Sequence, residues 1–407
     1  MIPDTTYLNI SQLVSPGGTG ASRGSAMRDL DIIANAAIAV DNGRIIWVGP
    51  ERDLPFKGFH EVDCDGSAVI PALIDPHTHA AWGGDRYDDF EARVAGVSYE
   101  TILARGGGIR RTIAMTTATP AEELYRLTRN RVERLQLGGA ATVEVKSGYG
   151  FTREGELTSL EAIARVAAES AARVVATLLI HVPPVVPGER TAYLDMVCRE
   201  LIPEVTERGL ATAVDVFIER EAFTVAEAER IFAAAQGHGL AVKAHVDQFA
   251  AIGGVALAIE HQALSVDHLE ASGPGEIAAL AGSDTVATIL PGVSLHLGLP
   301  AAPGRALIDA GAIVALGTDC NPGSSPLYSP QLALALAVRL NGLTLAEALT
   351  AATANAAAAL GRFDIGRLAA GMHADMIVLD GPDWREIVDT LGGNVPGSLY
   401  IAGEEVW

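Results

Sequence analysis

Val69-Ile70-Pro71-Ala72-Leu73-Ile74-Asp75-Pro76-His77-Thr78-His79 is an apolar run that ends in two histidines separated by one residue. The run from Val69 to Ile74 predicts a buried strand that ends at Pro76, because proline has no amide hydrogen for a ladder. In extended backbone, residues i and i+2 point to one face, with side chains about 6.6 Å apart. Two imidazoles at that spacing can bind one metal ion. The alternative is two polar residues at a strand end with no shared ligand.

Length and composition indicate a folded globular protein. The chain has 407 residues, of which 49% are hydrophobic and 19% charged, so it can form one large domain and a smaller one. Its longest apolar runs, such as Val174–Ile180, are far shorter than the ~20 residues that span a bilayer. The N-terminal residues have neither the basic segment nor the apolar region of a secretory signal. We therefore expect a cytoplasmic protein.

The charge and the cysteines exclude several classes of partner. A formal net charge of −21 argues against nucleic acid, whose phosphates require a basic surface. An anionic small molecule would need local arginines to overcome this field. The three cysteines (Cys64, Cys198 and Cys320) are far apart and contain no Cys-x-x-Cys pair. They predict neither a disulfide framework nor a thiolate metal site.

Both ends of the chain show short strand signals. In residues 1–68, a turn at Asp41-Asn42-Gly43 separates two apolar runs. After a turn-rich link, Ala374–Leu379 predicts another strand, and a last strand pair flanks Ala402-Gly403. Since this tail is short for a domain of its own, residues 1–68 plus 363–407 are predicted to form one discontinuous β-sandwich domain.

Residues 69–362 alternate strand and helix signals. Thr119-Pro120-Ala121-Glu122 predicts an N-cap, a proline at N1 and a capping-box glutamate, and Thr224–Glu227 and Thr344–Glu347 repeat this kind of helix start. Eight strands alternating with helices favour an α/β protein with a (β/α)8 TIM barrel, and a doubly wound sheet is the alternative. The predicted strands are Val69–Ile74, Ala141–Val145, Val174–Ile180, Ala213–Phe217, Ala241–Ala244, Leu264–Asp267, Thr285–Leu290 and Ile313–Leu316.

Histidines cluster where these strands end, which is where a barrel places its active site. Each polar residue alone is more often structural, but a set at several strand ends favours a shared site. Three imidazoles and one carboxylate suit zinc or iron, leave a position for water and imply metal-assisted hydrolysis. The predicted metal ligands are His77, His79, His245 and Asp319, and His181 and His268 also follow strands.

His268 is predicted to be the proton carrier, because an imidazole can take a proton from water and pass it to a leaving nitrogen. The alternative is a hydrogen-bonded buried histidine. Cys320, next to Asp319, is not expected to be a nucleophile, because side-chain alternation points it away from the metal.

With these residues identified, the chain resembles the amidohydrolase superfamily over nearly its whole length. The segment from Pro71 to His79 and the late Asp319 are typical of the superfamily. Finer motifs resemble one family within it, the imidazolonepropionases. These motifs are Gly83-Gly84-Asp85-Arg86, Gly106-Gly107-Gly108-Ile109, Glu144-Val145-Lys146-Ser147-Gly148-Tyr149-Gly150 and Thr318-Asp319-x-Asn321-Pro322-Gly323.

The resemblance implies a homodimeric enzyme of histidine degradation that hydrolyses the ring C–N bond of 4-imidazolone-5-propanoate to N-formimino-L-glutamate. It implies one zinc or iron ion per subunit on the four ligands above, with His268, Asp319 and Gln248 in catalysis. Arg86 would bind the propanoate, since a guanidinium pairs with a carboxylate through two parallel hydrogen bonds. The substrate-binding positions implied by the resemblance are Arg86, Tyr99, Tyr149, His181, Gln248, Asn321, Gly323 and Ser324.

Two positions complicate this assignment. Some relatives have glutamate where this chain has Gln248, and glutamine can orient a group but cannot exchange a proton. Proton transfer then falls to His268 and Asp319. In binuclear members of the superfamily a carbamylated lysine bridges two metals, whereas we interpret Lys146 as a hydrogen-bonding support beside one metal.

Two other functions are compatible with the same motifs. One is a related amidohydrolase that acts on another small cyclic amide or amidine, or that deaminates a heterocycle. The other is a barrel without catalysis that serves as an assembly scaffold. Such scaffolds typically lose metal ligands, whereas all four are present here.

Overall fold

The computed structural model describes residues 2–98, 101–102, 105–392 and 397–407, and its main feature is an eight-stranded parallel barrel. Each strand is hydrogen-bonded to the next one along the chain, which confirms the (β/α)8 prediction. A doubly wound sheet would instead reverse its strand order at a switch point. The barrel strands are Leu73–Asp75, Ala140–Lys146, Arg173–Ile180, Ala213–Ile218, Ala241–Val246, Ser265–His268, Val286–Ile289 and Val314–Leu316.

The barrel closes just beyond its first and last strands. The Asp319 amide donates to the His77 carbonyl oxygen at 3.0 Å, and the His79 amide donates to the Cys320 carbonyl oxygen at 3.0 Å. The side chain of Asp75 adds to the seam by accepting hydrogen bonds from the Thr318 amide and hydroxyl, at 3.1 and 2.5 Å. The two ends of the ring therefore meet at the predicted metal ligands.

Helices cover the outside of the barrel, and two of the three predicted helix starts are confirmed. Thr224 with Glu227, and Thr344 with Glu347, form reciprocal capping boxes. The third prediction is wrong, because its helix begins at Ala121 and the Thr119 hydroxyl donates to the Met115 carbonyl oxygen at 2.7 Å. The helices are Tyr87–Val94, Ile109–Ala118, Ala121–Leu137, Arg153–Glu169, Pro187–Met196, Ile202–Glu207, Val225–Gly237, Gly254–Glu260, Pro274–Ala281, Pro291–Leu297, Gly304–Ala310, Pro330–Leu340, Leu345–Ala351, Ala354–Ala358 and Glu386–Asp389, with 3-10 turns at Gly24–Arg28 and Glu51–Asp53 and a π turn at Val197–Leu201.

The two ends of the chain build a second unit together, as the sequence predicted, and its strands form one mixed sheet. Both predicted hairpin turns are present. Asn42 and Gly43 have φ values of 48° and 73°, and Ala402 and Gly403 have 52° and 78°, which is the left-handed pattern of two-residue hairpins. The strands of this sheet are Thr5–Pro16, Leu30–Asp41, Arg44–Pro50, His60–Asp63, Ala68–Pro71, Met376–Leu379, Gly397–Ile401 and Glu404–Glu405.

The apolar run that precedes the histidines is divided between the two sheets. Ala68–Pro71 pairs with Met376–Leu379 in the mixed sheet, and Leu73–Asp75 is the first barrel strand. Between them, the Ala72 amide donates to the Asp375 carbonyl oxygen at 3.0 Å. The prediction of one strand over Val69–Ile74 was wrong, because burial on both faces leaves no periodicity to mark a change of sheet.

Among the described residues, no helix combines the length and the apolar character needed to cross a bilayer.

Candidate metal centre and active site

Four side chains converge at the carboxyl end of the barrel, and they are the four predicted ligands. His77 and His79 follow the first strand, His245 lies in the fifth, and Asp319 follows the last. Nε2 of His79 lies 3.2 Å from both His245 Nε2 and Asp319 Oδ1. Nε2 of His77 lies 3.3 Å from the same Asp319 oxygen. All four side chains are buried.

The donor atoms of this cluster fit a metal ion. His77 Nε2 and Asp319 Oδ1, which face each other at 3.3 Å, are buried and make no hydrogen bond within the described part of the chain. Burial lowers the pKa of His245 to about 3, so the ring is neutral. Its Nδ1 lies 3.0 Å from Asp215 Oδ1, which leaves a lone pair on Nε2 facing the cluster. A bound cation would satisfy these atoms together with the Nε2 atoms of His79 and His245.

A buried charge network surrounds the ligands. Lys146 Nζ lies 2.6 Å from Asp215 and 2.7 Å from Glu144, so this lysine is hydrogen-bonded, in the supporting position expected from the sequence. Lys243 Nζ donates to the other oxygen of Glu144 at 2.8 Å. The network contains four carboxylates and two ammonium groups, so its net charge is −2. One divalent cation would neutralise this charge. The groups counted are Glu144, Asp215, Asp267, Asp319, Lys146 and Lys243.

His77 carries a proton when no cation is bound. Burial and Lys146 lower its pKa, but Asp267, 2.6 Å from Nδ1, and Asp319 outweigh them and raise the pKa to about 9. Metal ligation requires a neutral imidazole, so binding a cation here displaces a proton from Nε2. Asp267 then accepts the remaining Nδ1–H and fixes the ring orientation.

The loop after the last strand orients Asp319. Asn321 Nδ2 donates to Asp319 Oδ2 at 2.8 Å, and the Ser324 hydroxyl donates to the same oxygen at 3.3 Å. Asn321 Oδ1 in turn accepts the Gly323 and Ser324 amides, each at 2.8 Å. Oδ1 of Asp319 is thereby left to face the histidines. Asn321 and Ser324 therefore support the predicted metal ligand, and their predicted contact with substrate stays a prediction.

Two neutral side chains lie beside His79. The His181 ring stacks on the His79 ring with centroids 5.2 Å apart, and the Tyr149 ring lies 5.3 Å from His181. Burial raises the pKa of the Tyr149 hydroxyl and lowers that of His181 well below its usual value. At neutral pH, Tyr149 is therefore a hydroxyl donor and His181 an uncharged ring.

The guanidinium of Arg86 lies next to the loop that contains Gly323. Its Nε pairs with Asp89, and its Nη1 donates to the Thr112 hydroxyl at 3.3 Å. A Cβ at Gly323 would lie 3.3 Å from that Nη1, so a larger residue would crowd the arginine. Tyr99, which is also a predicted substrate-binding residue, lies outside the described residues.

Gln248 is less well placed than the other predicted site residues. It is partly buried, and its side chain makes no hydrogen bond to another described residue. The two residues that follow it are better fixed, because their amides donate to the buried carboxylate of Glu219 at 2.9 and 3.1 Å. The backbone that follows Gln248 is therefore held in place, and the catalytic role of its side chain stays a prediction.

His268 borders the ligand cluster, and its role as proton carrier stays a prediction. One of its ring nitrogens lies within 4.8 Å of donor atoms of His77 and Asp319. Its ring centroid lies 5.8 Å from that of His77 and 5.4 Å from that of His245. The other side of the ring faces Glu270, which lies 3.4 Å from Nδ1.

The charged residues that support the predicted ligands were not identified from the sequence. Asp215, Asp267, Glu144 and Lys243 lie inside barrel strands and are at most 1% exposed. An ionisable residue within an otherwise apolar strand is rarely buried without a partner, so each of these residues indicated a buried ion pair. Glu144 with Lys146, and Lys243 with His245, also share the i, i+2 spacing that places both side chains on one face.

Comparison with known proteins agrees with this site. The profile of the amidohydrolase family matches residues 68–406. An imidazolonepropionase from Deinococcus radiodurans is 59% identical over 403 residues, which cover 99% of this chain and 100% of that protein. The imidazolonepropionase of Chloroflexus aggregans is 44% identical, over 99% of this chain and 98% of the relative.

Solved structures of distant relatives share the fold. A 5-methylcytosine deaminase from Klebsiella pneumoniae has a TM-score of 0.75 at 17% identity, over 99% of this chain and 98% of that one. A zinc-bound adenosine deaminase from Xanthomonas campestris has a TM-score of 0.70 at 19% identity, over 99% and 92%. The barrel, its ligand set and these comparisons define a metal-dependent hydrolase of the amidohydrolase family. Within that family, the chain belongs to the imidazolonepropionases.

Proposed function

We propose that the protein hydrolyses the ring C–N bond of 4-imidazolone-5-propanoate to N-formimino-L-glutamate, a step of histidine degradation, with one zinc or iron ion per subunit. The observation that carries the proposal is the convergence of three buried imidazoles and Asp319, with His77 Nε2 and Asp319 Oδ1 left without a hydrogen-bond partner in the described structure. The near full-length identity to proteins named imidazolonepropionase supports the substrate.

His77, His79, His245 and Asp319 would hold the ion. When bound, it supplies Lewis acidity toward the ring carbonyl and lowers the pKa of water, which makes hydroxide available near neutral pH. The distances among the four side chains and the buried carboxylates behind them support this assignment.

The substrate is an anion, and the guanidinium of Arg86 can bind its propanoate. The side chain of Arg86 is 9% exposed; its Nε pairs with Asp89 and one Nη1 hydrogen with the Thr112 hydroxyl, which leaves Nη2 and the second Nη1 hydrogen for the propanoate. Tyr149, held in its hydroxyl form by burial, donates a hydrogen bond to the substrate. The neutral ring of His181 stacks on His79 and forms one wall of the site, and its ring nitrogens can also make a hydrogen bond.

His268 moves the proton. Its free ring nitrogen takes a proton from the attacking water, whose oxygen bonds to the ring carbonyl carbon. The same proton then passes to the ring nitrogen as the C–N bond breaks, so that nitrogen leaves as a neutral group. Asp319, oriented by Asn321, stays ionised because His77 and His79 lower its pKa well below the usual range despite burial. Gln248, with no proton to exchange, would orient the substrate.

The test combines turnover with elemental analysis. Purified protein is assayed with 4-imidazolone-5-propanoate, with hydantoins and with cytosine-like rings, and its metal is measured. We expect turnover of the imidazolone, about one zinc or iron per chain, and simultaneous loss of metal and turnover in His245→Ala. The variant His238→Ala, at an exposed histidine, is the control.

Two results would contradict the proposal. Preference for a neutral ring would remove the role of Arg86 and the propanoate, and full metal occupancy in His245→Ala would remove this histidine from the metal centre. The homodimer and the cytoplasmic location stay predictions, which light scattering and cell fractionation measure.

A further inference from the structure

Glu270 is a buried carboxylate that has no structural partner apart from His268. Its side chain is 5% exposed, and within the described ranges neither of its oxygens accepts a hydrogen bond of good geometry. Oε2 lies 3.4 Å from Nδ1 of His268, which is the only ion-pair contact of this carboxylate in the described structure. A buried carboxylate that accepts no hydrogen bonds destabilises the fold, which indicates that Glu270 has a function.

The backbone that connects the two residues is strained and firmly held. His268 and Leu269 have φ values of 90° and 72°, in the left-handed region that side chains larger than glycine rarely adopt. Hydrogen bonds from the Leu269 amide to Val246 and from the Ala271 amide to Asp247, at 3.2 and 2.7 Å, maintain this conformation. The reversal after the strand brings the Glu270 carboxylate back against the ring of His268.

We propose that Glu270 is the positioning carboxylate of His268, an inference that rests on the proposed function of His268 as proton carrier. With its carboxylate 3.4 Å from Nδ1, it favours the tautomer that has the proton on Nδ1 and leaves the Nε2 lone pair free toward the cluster. When the water proton arrives on Nε2, the ring is a cation next to the Glu270 anion, and the proton leaves again from Nε2 to the departing nitrogen. Glu270 itself gains no proton, as in other histidine–carboxylate pairs.

This role makes activity and stability change in different directions. Glu270→Gln removes a buried charge that has no donors, so its melting temperature is expected to equal or exceed that of the wild type. The variant should retain its metal, because Glu270 contacts none of the four ligands in the described structure. Its kcat should fall about 100-fold with little change in KM, since the imidazolium forms only during reaction. Glu270→Asp, which keeps the charge, should recover part of that loss.

Glu276→Gln is the matched control. Glu276 lies six positions further along, and its carboxylate caps the next helix by accepting the Gly273 amide at 3.0 Å. This substitution should lower the melting temperature slightly and leave kcat unchanged. A purely structural role for Glu270 predicts the same behaviour for Glu270→Gln.

The tautomer of His268 is measured directly in the wild type. In zinc-loaded protein with 15N-labelled histidine, the ring signals of His268, assigned by their loss in His268→Asn, should show the proton on Nδ1. A bare Nδ1 there, or wild-type kcat in Glu270→Gln, overturns the proposal, as does loss of metal in that variant. Absence of wild-type turnover would instead overturn the proposed function, and the tautomer would still be measured independently.

Discussion

The backbone amide of Asp319 donates a hydrogen bond of 3.0 Å to the carbonyl oxygen of His77, and this bond joins the last strand end of the barrel to the first. The same two residues approach through their side chains, with His77 Nε2 3.3 Å from Asp319 Oδ1. Barrel closure and assembly of the metal centre therefore depend on the same contacts. A cation bound between these side chains would also hold the seam closed.

Removal of the metal should destabilise the fold as well as abolish turnover. Ligand at 100 times its Kd stabilises a protein by about 2.7 kcal/mol, which for a chain of this size corresponds to about 3 °C in Tm. Scanning calorimetry of chelated protein measures this shift, and adding zinc should restore it. An unchanged Tm would show that the seam is stable without the ion.

Asp215→Asn should weaken metal binding without removing a ligand. Asp215 Oδ1 lies 3.0 Å from His245 Nδ1, and its other oxygen lies 2.6 Å from Lys146. An asparagine no longer favours the orienting proton on Nδ1, so we expect a 10–100-fold loss of affinity. Competition with a chelator measures the affinity. Asp195→Asn, at a surface carboxylate paired with Arg230, is the control and should bind metal like the wild type.

Arg86→Ala should chiefly raise KM. If the guanidinium binds the propanoate equally before and during reaction, KM rises about 10–100-fold at nearly constant kcat. Steady-state kinetics separate the two parameters. Arg126→Ala, which removes an exposed arginine paired with Glu123, should leave both unchanged. A selective fall in kcat would place Arg86 in the chemical step.

Glu156→Gln should disorder the loop that positions Tyr149. The buried Glu156 carboxylate accepts the amides of Gly148, Gly150 and Phe151 at 2.8–2.9 Å. A carboxamide nitrogen cannot accept, so at least one of these amides loses its partner, at a cost of about 2 kcal/mol. We expect a lower free energy of unfolding together with reduced kcat/KM. Wild-type stability in urea titrations would contradict this role.

Glu347 should make stability depend on pH in the acid range. Burial alone raises its pKa, but Arg305, the Thr344 amide and Arg28 outweigh burial and lower it to about 2. Because the folded pKa lies below the unfolded one, this stabilisation is complete above about pH 4.5 and is lost as the pH falls toward 2.

The corresponding variant is Glu347→Gln. It should unfold with about 2 kcal/mol less free energy at neutral pH and lose less stability between pH 4.5 and 2 than the wild type. Urea unfolding across this range tests both effects, with the exposed Glu229→Gln as control. Parallel loss of stability in all three proteins would show that Glu347 contributes nothing to the acid transition.

Much of the architecture was predictable because it is encoded locally. Alternating strand and helix signals identified eight barrel strands within a few residues, and turns such as Asn42-Gly43 and capping boxes such as Thr224 with Glu227 follow from chemistry within four residues. The change of sheet at Ala72 was missed, since an apolar run has the same pattern in one sheet or two.

The sequence by itself determined the barrel and the four converging residues, because parallel strands end at one rim and His77, His79, His245 and Asp319 all follow or end strands. Only the tertiary structure decided which carboxylates support them. Asp267 reaches His77 across 190 positions and Asp215 reaches His245 across 30, and strand register sets both contacts. The strained turn that places Glu270 against His268 was equally hidden, since long-range hydrogen bonds stabilise a backbone conformation that local preference disfavours.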